Sequence, residues 1–255
     1  MNEYTLDDKY RFYSKSVTKG TQIKYKKDNY FYKLNKCGNE GYTEYLVSRL
    51  LKNSNLLDCA FVDYEYCKIN GVLGCRSKSF LNDNEEFVSI NSLYTQLTGA
   101  SNLADKLCTL SNATERLDYI LNIVERFGIS RVSFKEYLNI ILQLDLLIGN
   151  TDRHVHNYGL IYNKRLNRFR LAPIFDNGLS LDTDRSGNTT SCTISGSFTD
   201  QVIVFGYPIV PKFVLDYRKV KADLSRIEKL YGKHYELDIL RKNLETYKSI
   251  FCTNK

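Results

Sequence analysis

The chain has 255 residues and a mass of 29.6 kDa, enough for one large domain or two lobes around a cleft, and its 43% hydrophobic content can build a core without covalent staples. Seven cysteines (Cys37, Cys59, Cys67, Cys75, Cys108, Cys192 and Cys252) form no Cys-x-x-Cys pair, and neither an apolar leader in MNEYTLDDKYRF nor an apolar run near the ~20 residues of a membrane span is present. The net charge of +7 sits at the two ends: residues 1–36 carry 9 Lys+Arg against 4 Asp+Glu, residues 212–255 carry 11 against 6, and the middle is mildly acidic.

Residues 20–34, GTQIKYKKDNYFYKL, alternate aromatic or β-branched residues with polar ones around KKDN, which predicts two strands of a small antiparallel sheet. After the loop CGNEG, the stretch YTEYLVSRLLKNSN predicts a helix with Tyr42, Leu46 and Leu50 on one face. Residues 60–80 return to strand character, with a turn at Asn70-Gly71. From about residue 91 the pattern is helical. Asn112 and Glu115 pair as cap and partner of a helix carrying Leu117, Ile120, Leu121 and Val124 on one face, and a Ser133-x-x-Glu136 capping box predicts the start of the next helix, running to Gly149. Two strands, NYGLIYN and RFRLAPIFD, follow around KRLN, then a Ser/Thr/Gly-rich loop over 182–200. From 212 a helical tail is predicted with its apolar face on Leu215, Leu224, Ile227 and Leu230.

The polar stretch LLIGNTDRHVHNYGLIY concentrates two of the three histidines beside acids and amides. Asp152 and Asn157 are five apart, and Asp176 follows at the end of the next hairpin. Transfer of a phosphoryl group from ATP requires a carboxylate to orient the acceptor hydroxyl and oxygen ligands to hold Mg²⁺, and Asp-x-x-x-x-Asn, hairpin, Asp supplies all three. Either residue alone would serve as a turn or cap, so the set carries the reading. A zinc site at His154-x-His156 lacks partners, since His234 is the sole other histidine; His154 is read as fixing the loop and His156 as a surface residue. Lys33, an ammonium among the aromatics of YFYKL, needs a buried acid, and Glu44 on the following helix is placed to supply it. Gly20 and Lys24, in SVTKGTQIK, fit a phosphate-covering loop that offers backbone N–H groups and a positive charge.

These motifs together resemble the HipA-like serine/threonine kinases, over roughly residues 15–210. The resemblance implies an α+β, two-lobed protein-kinase-like fold in a single domain, with an N-lobe over about 1–85 and a C-lobe over about 86–255. It implies ATP and Mg²⁺ as cofactors, with Asp152, Lys33, Glu44 and His154 as catalytic residues, Gly20, Thr21, Gln22, Lys24 and Lys33 around the phosphates, and Asn157 and Asp176 as metal ligands. Autophosphorylation in the phosphate loop would fall on Ser16, Thr18 or Thr21. A toxin–antitoxin type of partner belongs to the same set of expectations, although with only about 15 residues ahead of the loop a short form without the N-terminal subdomain of the longer toxins is expected.

Asp-Arg-His-x-x-Asn is also similar to the loop of phosphoinositide kinases, so a small-molecule or lipid phosphotransferase is the alternative within the fold. A nucleotide-binding pseudokinase, or a regulator using the basic ends on polyanions, is the alternative outside catalysis. The complete residue set speaks against the pseudokinase, and the charge pattern without a base-reading motif predicts weak, salt-sensitive, non-specific nucleic-acid binding at most. The expected location is the cytoplasm, of the producing cell or, for a delivered effector, of a host.

Overall fold

The computed structural model describes residues 1–12, 22–36, 38–150, 152–181 and 210–253. The first lobe is a five-stranded sheet carrying one long helix. Strands β1 (Asn2–Tyr4), β2 (Lys24–Lys27), β3 (Tyr30–Leu34), β4 (Tyr64–Ile69) and β5 (Val72–Lys78) lie in the order β1-β4-β5-β3-β2. All neighbours are antiparallel except β1, which runs parallel to β4 at the edge. The β2–β3 turn places Asp28 at φ 54° and the β4–β5 turn places Asn70 at φ 50°, positions that Asp and Asn tolerate better than most residues. One sheet face gathers Leu6, Tyr25, Tyr32, Leu34, Cys67 and Ile69. Helix α1 (Glu40–Lys52) covers the other, burying Tyr42, Leu46, Val47, Leu50 and Leu51 as its 3.6-residue period predicts. The helix is seated so closely that a Cβ on Gly41 would lie 2.5 Å from the carbonyl carbon of Gly74 in β5.

The second lobe is mainly helical. Strand β6 (Glu85–Ser89) leads into α2 (Ile90–Thr98), α3 (Leu103–Cys108), α4 (Ala113–Glu125) and α5 (Arg131–Ile148). The predicted cap at Asn112 is present, its side chain accepting from Glu115 N. The capping box at Ser133 is not: Ser130 caps α5 one turn earlier and accepts from Ser133 N, while Glu136 reaches Lys212 at 2.9 Å. Starting at Arg131 delivers Phe134 into the core, fully buried.

After α5 come β7 (Gly159–Asn163) and β8 (Arg168–Leu171), which form a three-stranded antiparallel sheet β6-β7-β8. The strand predicted to run to Asp176 stops at Leu171, because Pro173 has no N–H to continue the ladder; Ile174 instead bridges Phe61. Strand β9 (Leu215–Asp216), α6 (Tyr217–Tyr231), α7 (Tyr235–Thr246), α8 (Lys248–Phe251) and β10 (Cys252–Thr253) complete the chain. Leu215, expected on a helix face, pairs with Cys252, and Asp216 caps α6. Leu230 is 61% exposed; Tyr231 takes the inward place, meeting Tyr42, Tyr45 and Tyr66 edge-on. One apolar cluster runs from α1 through α2, α4 and α5 to α6 and α7, so both lobes rest on a shared core. No helix among the described residues is long and apolar enough to cross a membrane.

Candidate active site

Strand alternation decides where Lys33 points. Tyr32 and Leu34 enter the small apolar cluster, so Lys33 faces α1 and the space between the lobes. Ladder register then sets Tyr66, Cys75, Lys33 and Lys24 side by side in one row on that face. Lys33 Nζ is 2.8 Å from Glu44 Oε1 and 2.7 Å from Asp176 Oδ1, and it lies 5.4 Å from the centre of the Tyr64 ring. Burial by itself would favour the neutral amine, but the charges of Asp176 and Glu44 outweigh it and hold the Lys33 pKa well above the ordinary value. For Lys24 the balance falls the other way: burial and the neighbouring Lys33 lower its pKa, and the charges of Asp176 and Glu44 oppose them without prevailing. The expected Lys33–Glu44 pair is therefore present, with Asp176 as a third member.

The polar loop begins where α5 ends. Gly149 adopts φ 61°, and its N–H and that of Asn150 return to the carbonyl of Asp145, the left-handed closure that Gly allows cheaply. Asp145 is buried in α5 and receives Asn150 Nδ2 at 3.0 Å and the guanidinium of Arg153 at 3.0 to 3.3 Å. Asn150 Oδ1 then accepts from Asp152 N, and Asn157 Nδ2 donates to the Asp152 carbonyl at 3.2 Å, so the backbone of Asp152 is held on both sides. Asp152 itself remains exposed. Partial burial raises the pKa of the Asp152 carboxyl, with repulsion from Asp176 adding to it and His154 and Arg153 opposing.

Asp176 sits at φ 62°, a conformation that costs a non-glycine residue on the order of 1 kcal/mol or more. The next residue anchors it: Asn177 N donates to Glu44 Oε2 at 2.9 Å, so Glu44 uses one oxygen for Lys33 and the other for the chain beside Asp176. Gly178 continues against the start of α1, where a Cβ would lie 3.2 Å from Glu40 Cβ. Burial works to raise the Asp176 pKa, yet Lys33, Lys24 and Arg153 hold it far below the usual carboxylate range. It is an anion with one third of its side chain still accessible.

These groups border a cleft of about 320 Å³, whose wall includes Lys24, Lys33, Tyr64, Phe87, His156 and Asp176. Phe80, Phe87 and Phe175 meet there through ring contacts of 5.1 to 6.3 Å, making one side apolar and aromatic. Among the described residues Asn157 Oδ1 is buried without a hydrogen-bond partner, an acceptor whose desolvation they leave uncompensated. A hard cation between Asn157 and the Asp176 anion would satisfy it, and Mg²⁺ prefers such oxygen donors. No three His, Cys, Asp or Glu side chains cluster as a metal site among the described residues.

The remaining candidates fare differently. Gln22 does not line the cleft. Gly20 and Thr21, the hydroxyls at Ser16 and Thr18, and the loop 182–200 lie outside the described residues. Of the two loop histidines, His156, expected on the surface, lines the cleft, whereas His154 is exposed and accepts from His156 N at 3.3 Å, a bond within the loop. Arg153, which the sequence reading passed over, does the fixing. The signal available for it was Asp145, a lone charge in the apolar run LQLDLLIG that required a buried cation.

No family model matches the chain, and no curated protein matches it. Solved structures do. The proinflammatory kinase CtkA of Helicobacter pylori superposes with a TM-score of 0.64 at 17% identity, over 98% of this chain and 94% of that one. HipA of Shewanella oneidensis MR-1, solved with HipB and operator DNA as a toxin–antitoxin complex, gives a TM-score of 0.53 at 14% identity, over 94% of this chain and 66% of HipA. At such identities the likeness is one of architecture: the chain has the two-lobed, HipA-like kinase fold.

Proposed function

We propose that the protein is an ATP- and Mg²⁺-dependent serine/threonine protein kinase. The observation that carries this reading is Lys33 held between Glu44 and Asp176 at the wall of the cleft, with Asp152 of the polar loop close enough to Asp176 to feel its charge and Asn157 bonded to the Asp152 carbonyl. The aromatic side would take the base, and Lys24 and Lys33 the phosphates. Asn157 and Asp176 would hold Mg²⁺, which supplies charge neutralisation on the phosphate oxygens. Asp152 orients the acceptor hydroxyl and takes its proton as the hydroxyl oxygen bonds to the γ-phosphorus and the bond from that phosphorus to the ADP oxygen breaks. Its raised pKa suits proton acceptance better than an ordinary Asp would.

Incubation with γ-labelled ATP and Mg²⁺, alone and with a cell extract, tests the reading. Label on the chain itself or on extract proteins is expected at Ser or Thr. Label confined to small molecules or lipid would transfer the same site to another acceptor class, and no Mg²⁺-dependent transfer at all would overturn the proposal. Asp152→Asn keeps the shape while removing the proton acceptor, so transfer should fall by about 10²-fold or more with nucleotide binding retained.

A further inference from the structure

Asp176 has no regular structure to hold it. It follows the end of a hairpin, carries a positive φ, and its side chain is committed to Lys33. What keeps it in place lies on either side of it. Arg153 Nη1 donates to the carbonyl of Phe175 at 2.7 Å and Arg153 Nη2 to Asn177 Oδ1 at 2.5 Å, so one guanidinium grips both neighbours of Asp176. The same group is pinned by Asp145 of α5, and both side chains are 1% exposed. Asn177 passes the constraint on, because its N–H binds Glu44 on α1.

We infer that Arg153 is a positioning residue for the metal-binding carboxylate, a planar clamp that ties Asp176 to helix α5 and, through Asn177, to helix α1. The inference rests on the kinase reading and deepens it. A lysine would meet the charge of Asp145 but could not reach the Phe175 carbonyl, the Asn177 amide and Asp145 together, since its ammonium is a single point where the guanidinium is a rigid fork. Partners one shell beyond the ligands fix the orientation of those ligands, and their loss ordinarily weakens metal affinity by about 10- to 100-fold. Arg153 adjoins Asp152 in sequence, so one residue couples the loop bearing the proton acceptor to the segment bearing the metal ligand.

The test is calorimetric titration with ADP, with and without Mg²⁺, on the full chain. Arg153→Lys and the double variant Arg153→Met with Asp145→Leu are compared with wild type, the double variant removing both buried charges so that neither is stranded. In both variants Mg·ADP affinity should fall by about 10-fold or more while metal-free ADP binds within about 2-fold of wild type. Unchanged Mg·ADP affinity in the folded variants would overturn the clamp, and so would an equal loss with and without metal, which would make Arg153 a support for the lobe alone. Arg153→Lys behaving as wild type would show that charge suffices and the fork does not matter. A wild-type chain whose ADP affinity ignores Mg²⁺ would instead sink the kinase reading, so the two failures are separable.

Discussion

Two cations are buried at the junction of the lobes, and they are held in opposite ways. Lys33 is a point charge on a flexible stem, shared by two carboxylates and 14% exposed towards the cleft. Arg153 is 1% exposed, and its planar group meets one carboxylate, one backbone carbonyl and one amide oxygen in fixed directions. The first arrangement tolerates an exchange of partners: under the proposed function, an ammonium can turn to incoming phosphate oxygens while Glu44 stays. The second tolerates none. Chemistry faces the lysine, and geometry depends on the arginine.

Breaking the lysine side gives the largest expected effect. Lys33→Met leaves Glu44 and Asp176 without their shared cation and removes a preorganised charge from the phosphates. Transfer should fall by about 10²- to 10³-fold, the scale of losing one such electrostatic contact, measured as kcat and kcat/KM for ATP. The fold should survive at some loss of stability, because Asp176 remains partly accessible and can take up a proton or a counterion, and the buried Glu44 keeps the bond from Asn177 N.

The arginine side should break in stability instead. Arg153→Met strands Asp145, a carboxylate whose pKa is already raised by burial even with Arg153 opposing it. Loss of one partner of a buried pair costs about 3–5 kcal/mol, readable by denaturant titration, and Asp145→Leu in the same chain should restore most of it. A double variant no more stable than Arg153→Met would show that the hydrogen bonds to Phe175 and Asn177, rather than the ion pair, carry the fold.

The same contrast explains what was legible in the sequence. Lys33 and Glu44 could be read because an ammonium inside YFYKL and an acid on the apolar face of the next helix are each unstable alone. The spacing of Asp152, Asn157 and Asp176 pointed to one neighbourhood because a loop and a hairpin shorten separation in sequence, and Asp152 does lie within electrostatic reach of Asp176. Arg153 could not, since an arginine amid Asp, His and Asn looks solvated; its burial depends on Asp145 arriving from a helix whose facing was unknown. The same limit explains Leu215, captured by Cys252 from the far end of the chain, and the choice of Ser130 over Ser133, two serines three residues apart that offer similar caps. Strand β1 is three residues long and has no period to detect.

A smaller effect should come from the packing that sets Glu44 in place. Gly41→Ala would push a Cβ into the Gly74 backbone at 2.5 Å, and because both sides are main chain, α1 must move. A cost of about 1–3 kcal/mol is expected, the usual penalty for overpacking. Glu44 rides on that helix, so KM for ATP should rise with it. Stability lost with KM unchanged would mean that Glu44 holds its contacts by side-chain adjustment alone.

The smallest effect tests the exposed end of the scale. Arg76 pairs with Glu65 at 2.7 Å, with side chains 23% and 32% exposed, and stacks over Tyr4 and Tyr30 at the edge where β1 joins the sheet. Burial raises the Glu65 pKa, but hydrogen bonds from Asn2, Arg76 and Tyr4 outweigh it and leave the group below its ordinary value. A carboxylate lowered in the folded state stabilises above its unfolded pKa, and that contribution disappears as pH falls through the folded one. Glu65→Gln should therefore destabilise at neutral pH by less than about 1 kcal/mol, as partly exposed pairs do, and the gap to wild type should close on acidification below about pH 4. Hydrogen exchange should place the loss at β1, where Asn2 and Tyr4 both donate to Glu65. A gap that persists unchanged at low pH would show that the shape of Glu65, rather than its charge, holds the edge strand.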